Sequence, residues 1–401
     1  MFRRPAILLL SLSFVLAACS PDEATDTTQT TAETTTTSST TSTTLPPTTT
    51  TTTVPLAVTD APVELTAVVD GFYKYAAGET TTPPSAPEPV LASVTPTAGV
   101  VYPKTGTASV GTFLGQQVAV VETGDDLFLA IDDGSGWRID GGQWPSLSVP
   151  AYFGTGPRFV AVVGSDARRG QTIDQQRADS IHFVGLDGAG GGAVVGVPRD
   201  SYVPVAGVGR RKINSSLATG GPDRMFQTFS DLTGLPLDGY VLTGFTGFQS
   251  LITLVLGGVD VDVPFAINDR WAKASLEAGQ QILDGDQALG FARARKTTGG
   301  DFVRSEHQGI LLIGAAKAVK AMGYSAIPRL MAGAEPYIQT NLTPEEVLTF
   351  SAMAITADLD AMANVVTPGR SGSAGGASVV FLDDSVGALF SDFADGTLES
   401  G

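Results

Sequence analysis

Cysteine and histidine are scarce in this chain, which has one cysteine and two histidines among 401 residues. A single cysteine cannot form an internal disulfide, and two histidines cannot build a histidine-rich zinc site. The chain also lacks a Gly-x-Ser-x-Gly sequence, and the glycines at 188–192 do not have dinucleotide-binding spacing. Zinc enzymes, serine hydrolases of that type and dinucleotide-dependent enzymes therefore lack support.

Positive charge is scarce as well, with 24 Lys and Arg residues against 41 Asp and Glu residues and a formal net charge of −17. This acidity argues against nucleic acid as a partner. Arginine nevertheless recurs in short motifs, namely Val-Pro-Arg199-Asp-Ser, Arg293-Ala-Arg295 and Asp301-Phe-Val-Arg304-Ser-Glu-His-Gln308. The guanidinium group offers a planar set of donors that matches phosphate oxygens and stays charged. The motifs therefore predict a site that handles a pyrophosphate.

A long hydrophobic run is missing too, since no segment has the length and apolarity of a membrane-spanning helix. The short apolar run at 6–16 follows a basic start and leads to Leu16-Ala17-Ala18-Cys19, which is typical of a bacterial lipoprotein signal. We expect residues 1–19 to be a lipoprotein signal peptide whose Cys19 is acylated. An ordinary secretory peptide cut near Ala18 is the alternative.

The next segment, residues 20–56, consists almost entirely of Thr, Ser, Pro, Ala and Glu. It has nothing apolar to bury, so we expect a disordered Thr/Pro-rich tether. A lipid anchor followed by a tether predicts a location in the bacterial cell envelope, at the outer face of the cytoplasmic membrane.

Hydrophobic periodicity divides the remainder into two regions. Residues 57–150 predict a small α+β accessory module, with a helix at 63–77 and a strand meander at 117–122, 126–131 and 136–139. Residues 151–395 alternate strands with helices, which predicts an α/β fold with a three-layer α/β/α core. Strands are expected at 158–164, 180–186, 192–197, 259–263 and 377–382, and helices at 222–232, 245–256, 286–291, 302–322, from 343 with Thr343 as N-cap, and at 386–393.

Two aspartates lie at strand ends of the larger region. Asp166 ends its first predicted strand and Asp179 opens the second, so the two carboxylates can meet at one rim of a sheet. Carboxylate oxygens suit Mg²⁺, with phosphate oxygens completing its coordination shell. The alternative interpretation is that each aspartate caps a turn or pairs with a nearby arginine.

The arginine motifs also have favourable spacings. Asp301, Arg304 and Gln308 share one face of a predicted helix, and the helix N-terminus favours anions. Arg293 and Arg295 point the same way if the backbone there is extended. A solvated charged face with an ion pair is the alternative for the helix.

The ordered set of motifs resembles the LytR–CpsA–Psr family of bacterial cell-envelope proteins. The resemblance runs from about 159 to 323 and includes Gly-Ser-Asp166, Arg-Ala-Asp179-Ser, Val-Pro-Arg199-Asp-Ser-Tyr-Val and Lys212-Ile-Asn. It continues through Leu-Gly-Gly-Val-Asp, Leu-Asp-Gly-Asp-Gln-Ala-Leu and the motifs of Arg293 to Gln308. Members of the family transfer a glycopolymer from a polyprenyl-pyrophosphate carrier to peptidoglycan, forming a phosphodiester.

The resemblance implies a role for each matching residue. Asp166 and Asp179 would bind Mg²⁺, and a hydrophobic pocket would hold the polyprenyl tail. Arg199, Arg304 and Asp301 would be catalytic. The pyrophosphate would be bound by Arg293, Arg295, Gln308, Lys212 and Arg211.

Some assignments stay open at this stage. The acceptor hydroxyl must lose a proton, and either Asp301 or Asp179 could accept it. His307 is a further candidate base, although its helical position points away from Asp301, and His182 is expected to be packed inside a strand. The helix at 245–256 offers apolar side chains that would line the lipid pocket or belong to the core: Phe245, Phe248, Leu251, Ile252 and Val255.

The chain departs from the family pattern at two points. Family members usually begin with a transmembrane helix, and they often have a further basic residue shortly after Pro-Arg-Asp, where this chain has Tyr202 and Val203. Arg210 or Arg211 is a candidate substitute. Two alternative functions also remain: a non-catalytic lipoprotein that binds polyprenyl phosphates, and a polyprenyl-pyrophosphate hydrolase.

Overall fold

Two six-stranded sheets organise the protein in the computed structural model, which describes residues 55–295 and 299–399. The N-terminal sheet contains, in spatial order, β1 (Ala57–Thr59), β2 (Thr105–Phe113), β3 (Gln116–Thr123), β4 (Asp126–Asp132), β5 (Trp137–Trp144) and β6 (Val149–Tyr152). The central sheet contains, in spatial order, β17 (Gln339–Thr340), β12 (Gly239–Thr243), β7 (Arg158–Ser165), β8 (Ala178–Leu186), β9 (Gly192–Gly196) and β18 (Ala363–Val366). The predicted signal peptide with Cys19, and the tether up to residue 54, lie outside the described residues.

The other described strands form two-stranded hairpins. These are β10 (Tyr202–Val205) with β11 (Gly209–Lys212), β13 (Val259–Val263) with β16 (Gly279–Leu283), β14 (Ile267–Asp269) with β15 (Ala274–Leu276), and β19 (Gly369–Ala374) with β20 (Ala377–Leu382). The predicted strand at 377–382 therefore exists, but it pairs in a hairpin outside the central sheet.

The α-helices in the described part of the chain surround the sheets. They are α1 (Val63–Ala76), α2 (Glu88–Ser93), α3 (Ser215–Thr233), α4 (Phe245–Ser250), α5 (Gly285–Arg293), α6 (Asp301–Met322), α7 (Ile327–Ala334), α8 (Pro344–Thr356) and α9 (Val386–Asp392). No single helix among these has the length and apolarity of a membrane span; a pair bent by 104°, Asp301–Met322 with Tyr324–Tyr337, has them only when taken together.

Local sequence explains where several helices begin. α5 and α8 both start with a capping box, in which Asp284 pairs with Gln287 and Thr343 with Glu346. Pro344 occupies the first turn of α8, as expected. α3 is broken by non-helical backbone at Gly220 and Gly221, so the predicted helix at 222–232 is its second part.

The central sheet is covered on both faces. On one face, Phe229 of α3 and Phe390 of α9 pack edge-on against Phe183 of β8. On the other face, α6 lies across β8, β9 and β18. It comes so close to β18 that a Cβ atom at Gly309 would overlap the side chain of Asn364. This three-layer arrangement confirms the predicted α/β fold class.

The N-terminal sheet is also covered on both faces. Phe72 of α1 stacks on Trp144 on one side, with ring centres 5.0 Å apart. Ile327 and Met331 of α7 and Leu348 of α8 share a buried cluster with the other side. Long-range packing therefore joins residues 57–150 to helices from the end of the chain, and all described residues belong to one compact unit. The boundary at 150 stays a prediction from sequence; the sheet itself continues to Tyr152.

Candidate active site

The ends of two central strands bring Asp166 and Asp179 together. β7 and β8 are antiparallel, and Ser165 at the end of β7 pairs with Ala178 at the start of β8. Asp166 follows the first strand and Asp179 lies at the beginning of the second, so both reach the same rim of the sheet. The predicted meeting of the two strand ends is thus confirmed.

This rim opens into a cavity of about 470 Å³, which we call the polar cavity. Its charged lining residues come from stretches of chain that are far apart in sequence. They are Asp166, Arg168, Asp179, Arg199, Asp269, Arg293, Arg295 and Arg304. Four of the arginines that the motifs singled out are therefore gathered at one place.

Arg199 also lines the polar cavity. It follows β9, and one of its terminal nitrogens pairs with Asp179 Oδ1. Its Nε lies 4.0 Å from Asp200 Oδ1. Asp166 is held differently, because its Oδ1 accepts a hydrogen bond of 3.0 Å from the backbone nitrogen of Arg177. Each aspartate therefore makes the local contact that the alternative interpretation expected, while both still line the cavity.

Arg304 is almost fully buried on the first turn of α6, with 3% of its surface exposed. Its Nη2 lies 3.1 Å from Asp301 Oδ1, and the same oxygen lies 3.9 Å from Arg295 Nη2. Burial lowers the pKa of Arg304 to about 10, the charge of Asp301 opposes that shift, and the charge of Arg199 adds to it. The side chain is thus still cationic at neutral pH, and an anion in the cavity would relieve its desolvation.

Arg293 and Arg295 reach the same cavity, although the backbone is not extended throughout the motif as the sequence interpretation assumed. α5 ends at Arg293, Ala294 is extended, and both arginines line the polar cavity. The guanidinium of Arg293 lies over the ring of Phe245, 4.8 Å from its centre. The backbone nitrogen of Arg295 donates to Asp269 Oδ2 over 3.0 Å.

An apolar pocket of about 110 Å³ lies next to the polar cavity. Asp179, Phe245, Arg293 and Arg304 line both spaces, so the pocket opens where the charged groups are. The rest of its lining is mostly apolar and comes mainly from β7, α4 and the residues directly after it, α5 and α6, including Val163, Phe248, Ile252, Leu289, Leu311, Leu312 and Ala315.

Residues from the helical segment predicted at 245–256 both line the apolar pocket and belong to the core. Phe245, Phe248 and Ile252 line the pocket, and Ile252 also belongs to a buried cluster. Leu251 and Val255 do not line it. They lie in the π-helical segment Leu251–Val255 that continues α4.

Gln308 and the two histidines lie near the site but inside the protein. Gln308 lines the apolar pocket and donates from Nε2 to the backbone oxygen of Ala292 over 3.0 Å. His307 stacks on Phe291, with ring centres 4.3 Å apart. His182 contacts the backbone oxygen of Ser305 at 2.9 Å. Burial lowers the pKa of both histidines to about 4, which makes each a weak base.

Arg211 and Lys212 are not among the residues that line the polar cavity. Both lie on β11, where Arg211 is exposed and Lys212 Nζ lies 3.2 Å from Asp200 Oδ2. Arg210, on the same strand, donates to the backbone oxygen of Tyr202. The hairpin therefore does not supply the missing basic residue to the cavity, and pyrophosphate binding by Arg211 and Lys212 stays a prediction.

Arg168 is the basic residue that the sequence motifs missed. It lies two positions after Asp166, at the same rim, and lines the polar cavity. A signal was available, because Arg168 and Arg169 follow within four residues of the end of β7 in an acidic chain. Trp271 and Asp269 also line the cavity, and nothing in their sequence context marked them.

The described residues contain no group of three or more His, Cys, Asp or Glu side chains that could hold a metal by themselves. Two carboxylates at one cavity are nevertheless the donor set that Mg²⁺ takes when substrate phosphates and water supply the other ligands. Asp166 and Asp179 therefore fit Mg²⁺ as a substrate-dependent site.

The family model described as the LytR_cpsA_psr family matches residues 145–388, which is more than half of the chain. The "Probable cell wall biosynthesis protein LcpB" of Corynebacterium glutamicum is 35% identical over 159 residues, covering 37% of this chain and 38% of that protein. The polyisoprenyl-teichoic acid–peptidoglycan teichoic acid transferase TagV of Bacillus subtilis is 32% identical over 183 residues, covering 43% of this chain and 46% of TagV. The matched regions thus span less than half the length of these two relatives.

Solved structures agree with this placement. The crystal structure of TagV from B. subtilis superposes with a TM-score of 0.53 at 26% identity, covering 61% of this chain and 100% of that one. A structure of TagT bound to LI-WTA has a TM-score of 0.51 at 21% identity, covering 61% of this chain and 92% of that one, and shows the same fold. From the extent of the family match, the site motifs and the fold, this chain belongs to the LytR–CpsA–Psr family.

Proposed function

We propose that this protein transfers a glycopolymer from a polyprenyl-pyrophosphate carrier to peptidoglycan and forms a phosphodiester link in the bacterial cell wall. One observation supports this most strongly. Four arginines from three separate parts of the chain, Arg199, Arg293 with Arg295, and Arg304, line one cavity that also opens into an apolar pocket. Relatives named as transferases of this type support the same activity.

The two adjoining spaces match the two halves of such a carrier. The prenyl tail would enter the apolar pocket between Phe248, Ile252 and α6, where apolar burial favours it. The diphosphate would remain at the mouth, where Arg293 and Arg304 line both spaces. Several guanidinium groups in a partly desolvated site neutralise phosphate charge far better than exposed ones do.

The reaction would be an in-line displacement at the phosphorus that bears the glycan. A hydroxyl oxygen of a peptidoglycan sugar forms the new P–O bond, and the bond to the bridging oxygen breaks, so that polyprenyl phosphate leaves. The hydroxyl proton passes to a carboxylate. Little covalent chemistry is needed from the protein, which contributes positioning and charge stabilisation.

The arrangement of the two candidate bases favours different roles for them. Asp179 lines both spaces and can meet a bound hydroxyl. Asp301 is not among the lining residues, and its Oδ1 faces Arg304 and Arg295. We therefore assign proton acceptance to Asp179 and a positioning role to Asp301.

Asp166 and Asp179 would hold Mg²⁺ when the diphosphate is bound. The ion would supply further neutralisation of phosphate charge there. When no metal ion is bound, the ion pair with Arg199 compensates the negative charge of Asp179.

The location follows from residues outside the described part of the chain. Acylation of Cys19 would hold the protein to the outer face of the cytoplasmic membrane, and residues 20–56 would let the site reach both membrane-embedded carrier and wall. Replacing Cys19 with alanine should release the protein from membranes, as measured by fractionation.

The decisive experiment incubates the full-length chain with Mg²⁺, a polyprenyl-pyrophosphate oligosaccharide and peptidoglycan fragments, and follows products by mass. A fragment that gains the phosphorylated oligosaccharide supports transfer, and this product should disappear in Arg304→Ala. Release of phosphate without a glycosylated fragment would indicate hydrolysis. Carrier that binds but stays intact would indicate a non-catalytic binding protein.

A further inference from the structure

The hairpin β14–β15 places a tryptophan at the polar cavity. Trp271 is 71% exposed, whereas the other two tryptophans, Trp137 and Trp144, are 7% and 0% exposed. Trp271 lines the cavity together with Arg168, Arg293 and Arg295. One exposed apolar side chain is ordinary on a protein surface. Trp271 differs because specific contacts with neighbouring residues hold it in place.

A buried carboxylate ties the tryptophan to the arginine site. Asp269, 3% exposed, accepts hydrogen bonds at Oδ1 from the backbone nitrogens of Trp271, at 2.9 Å, and Ala272, at 3.3 Å. Its other oxygen accepts from the backbone nitrogen of Arg295 over 3.0 Å. One side chain therefore sets the position of the tryptophan turn relative to Arg295.

A cation supports the indole itself. The guanidinium of Arg270 lies 4.8 Å from the centre of the Trp271 ring. This distance is within the range of a cation–π interaction, which restrains the ring and reduces the entropy lost when a ligand packs against it. The cavity thus presents a pre-positioned aromatic surface beside a group of phosphate-binding side chains.

We propose that Trp271 is a sugar-binding platform that packs against the pyranose ring bonded to the carrier's diphosphate. This inference rests on the proposed function and names one more part of the substrate that the site recognises. The faces of a pyranose carry C–H groups whose positive polarisation suits the negative face of an indole. The indole N–H can also donate to a sugar hydroxyl.

The geometry favours the sugar of the carrier over the sugar of peptidoglycan. The carrier's first sugar is covalently joined to the diphosphate, so it must lie beside the arginines that hold the phosphates. Trp271 shares the cavity with those arginines and is linked to Arg295 through Asp269. The acceptor is under no such covalent constraint.

The test compares three ligands: a prenyl diphosphate, the same compound carrying a disaccharide, and a soluble peptidoglycan fragment. Affinities are measured by calorimetry with the full-length chain, Trp271→Ala, Trp271→Phe and Leu254→Ala. Leu254 is a matched control because it is 70% exposed and lines neither the polar cavity nor the apolar pocket. Both positions are largely exposed, so neither substitution should disturb folding.

We expect Trp271→Ala to weaken binding of the disaccharide carrier roughly tenfold, the size of effect expected for loss of one aromatic contact. Binding of the bare prenyl diphosphate should not change, and Trp271→Phe should lose less. Fluorescence of the wild-type chain should change on adding the disaccharide carrier, because Trp271 is the exposed tryptophan.

Three outcomes would overturn the inference. An equal loss for both carriers would show that Trp271 does not read the sugar, and no loss for either would show that it makes no contact. A loss for the peptidoglycan fragment alone would place the acceptor there. By contrast, a wild-type chain that binds neither carrier would refute the proposed function itself.

Discussion

Asp301 Oδ1 lies 3.1 Å from Nη2 of Arg304, one turn further along α6. The carboxylate thereby holds a buried guanidinium at the mouth of the apolar pocket, and it also lies 3.9 Å from Arg295. Replacing a carboxylate that positions Arg304 should change KM, whereas replacing a catalytic base should change kcat. The pair therefore offers a direct test of how the site is organised.

Replacing Asp301 with asparagine should weaken donor binding more than it slows the bound complex. The substitution keeps the shape but leaves Arg304 without its partner charge, so we expect KM for the donor to rise by roughly tenfold with a smaller change in kcat. Glu306→Gln removes the same charge from an exposed position on the same helix and should have little effect. A large fall in kcat at unchanged KM would instead identify Asp301 as the base.

Arg168 should contribute to phosphate binding although no motif includes it. Arg168→Ala removes one cation from the lining of the polar cavity, and we expect donor affinity to fall by roughly tenfold, the value of one charge-assisted contact. Arg169→Ala is the matched control, because the neighbouring arginine is exposed and not among the lining residues. Equal effects of the two substitutions on donor affinity would show a general charge effect.

Transfer should depend on a divalent cation held by Asp166 and Asp179. A chelator should abolish product formation, and added Mg²⁺ should restore it. Asp166→Asn should raise the Mg²⁺ concentration needed for half-maximal rate by roughly tenfold or more, whereas Asp174→Asn, in the same connection, should not. Undiminished transfer in the presence of chelator would remove Mg²⁺ from the scheme.

Asp140 should make the fold less stable as the pH rises. This carboxyl lies on β5 and is 4% exposed; burial raises its pKa to about 7, and the charge of Glu345 adds to the shift while those of Arg138 and Arg158 oppose it. Since the folded state binds the proton more tightly, the stabilisation is present at acidic pH and is lost as pH rises through about 7.

Asp140→Asn should therefore be more stable than the wild type at pH 8, by ~1–3 kcal/mol, and similar to it near pH 4. Denaturant unfolding at the two pH values measures the difference. Asp125→Asn, at an exposed turn, serves as the control. A variant that is destabilised equally at both pH values would show that the carboxyl is charged in the folded protein.

Local sequence was sufficient for much of the architecture. The helix predicted at 63–77 is Val63–Ala76, and the one at 302–322 is Asp301–Met322. Both segments are long and contain no proline, so helix-forming residues within each segment favour the helix locally. By contrast, β12 and β18 of the central sheet were missed, because each is short and gains its stability from neighbouring strands.

Local sequence could not show what covers the N-terminal sheet. The pattern of residues 57–150 suggested a separate module, yet α7 and α8 supply the packing for one face of its sheet. Those helices lie about two hundred residues later in the chain. Packing partners at such separation leave no periodic signal in either segment.

By itself, the sequence identified the family and the fold class and predicted the residues of the site, because ordered Asp and Arg motifs and hydrophobic periodicity are properties of short stretches. Only the tertiary structure decided which of the cations share a cavity. Arg168 lines the polar cavity, as does the uncharged Trp271, whereas Arg211 and Lys212 lie on the hairpin β10–β11. Asp301 contacts Arg304. The identity of each side chain can be read from the sequence, but its neighbours depend on packing between segments that are far apart in the chain.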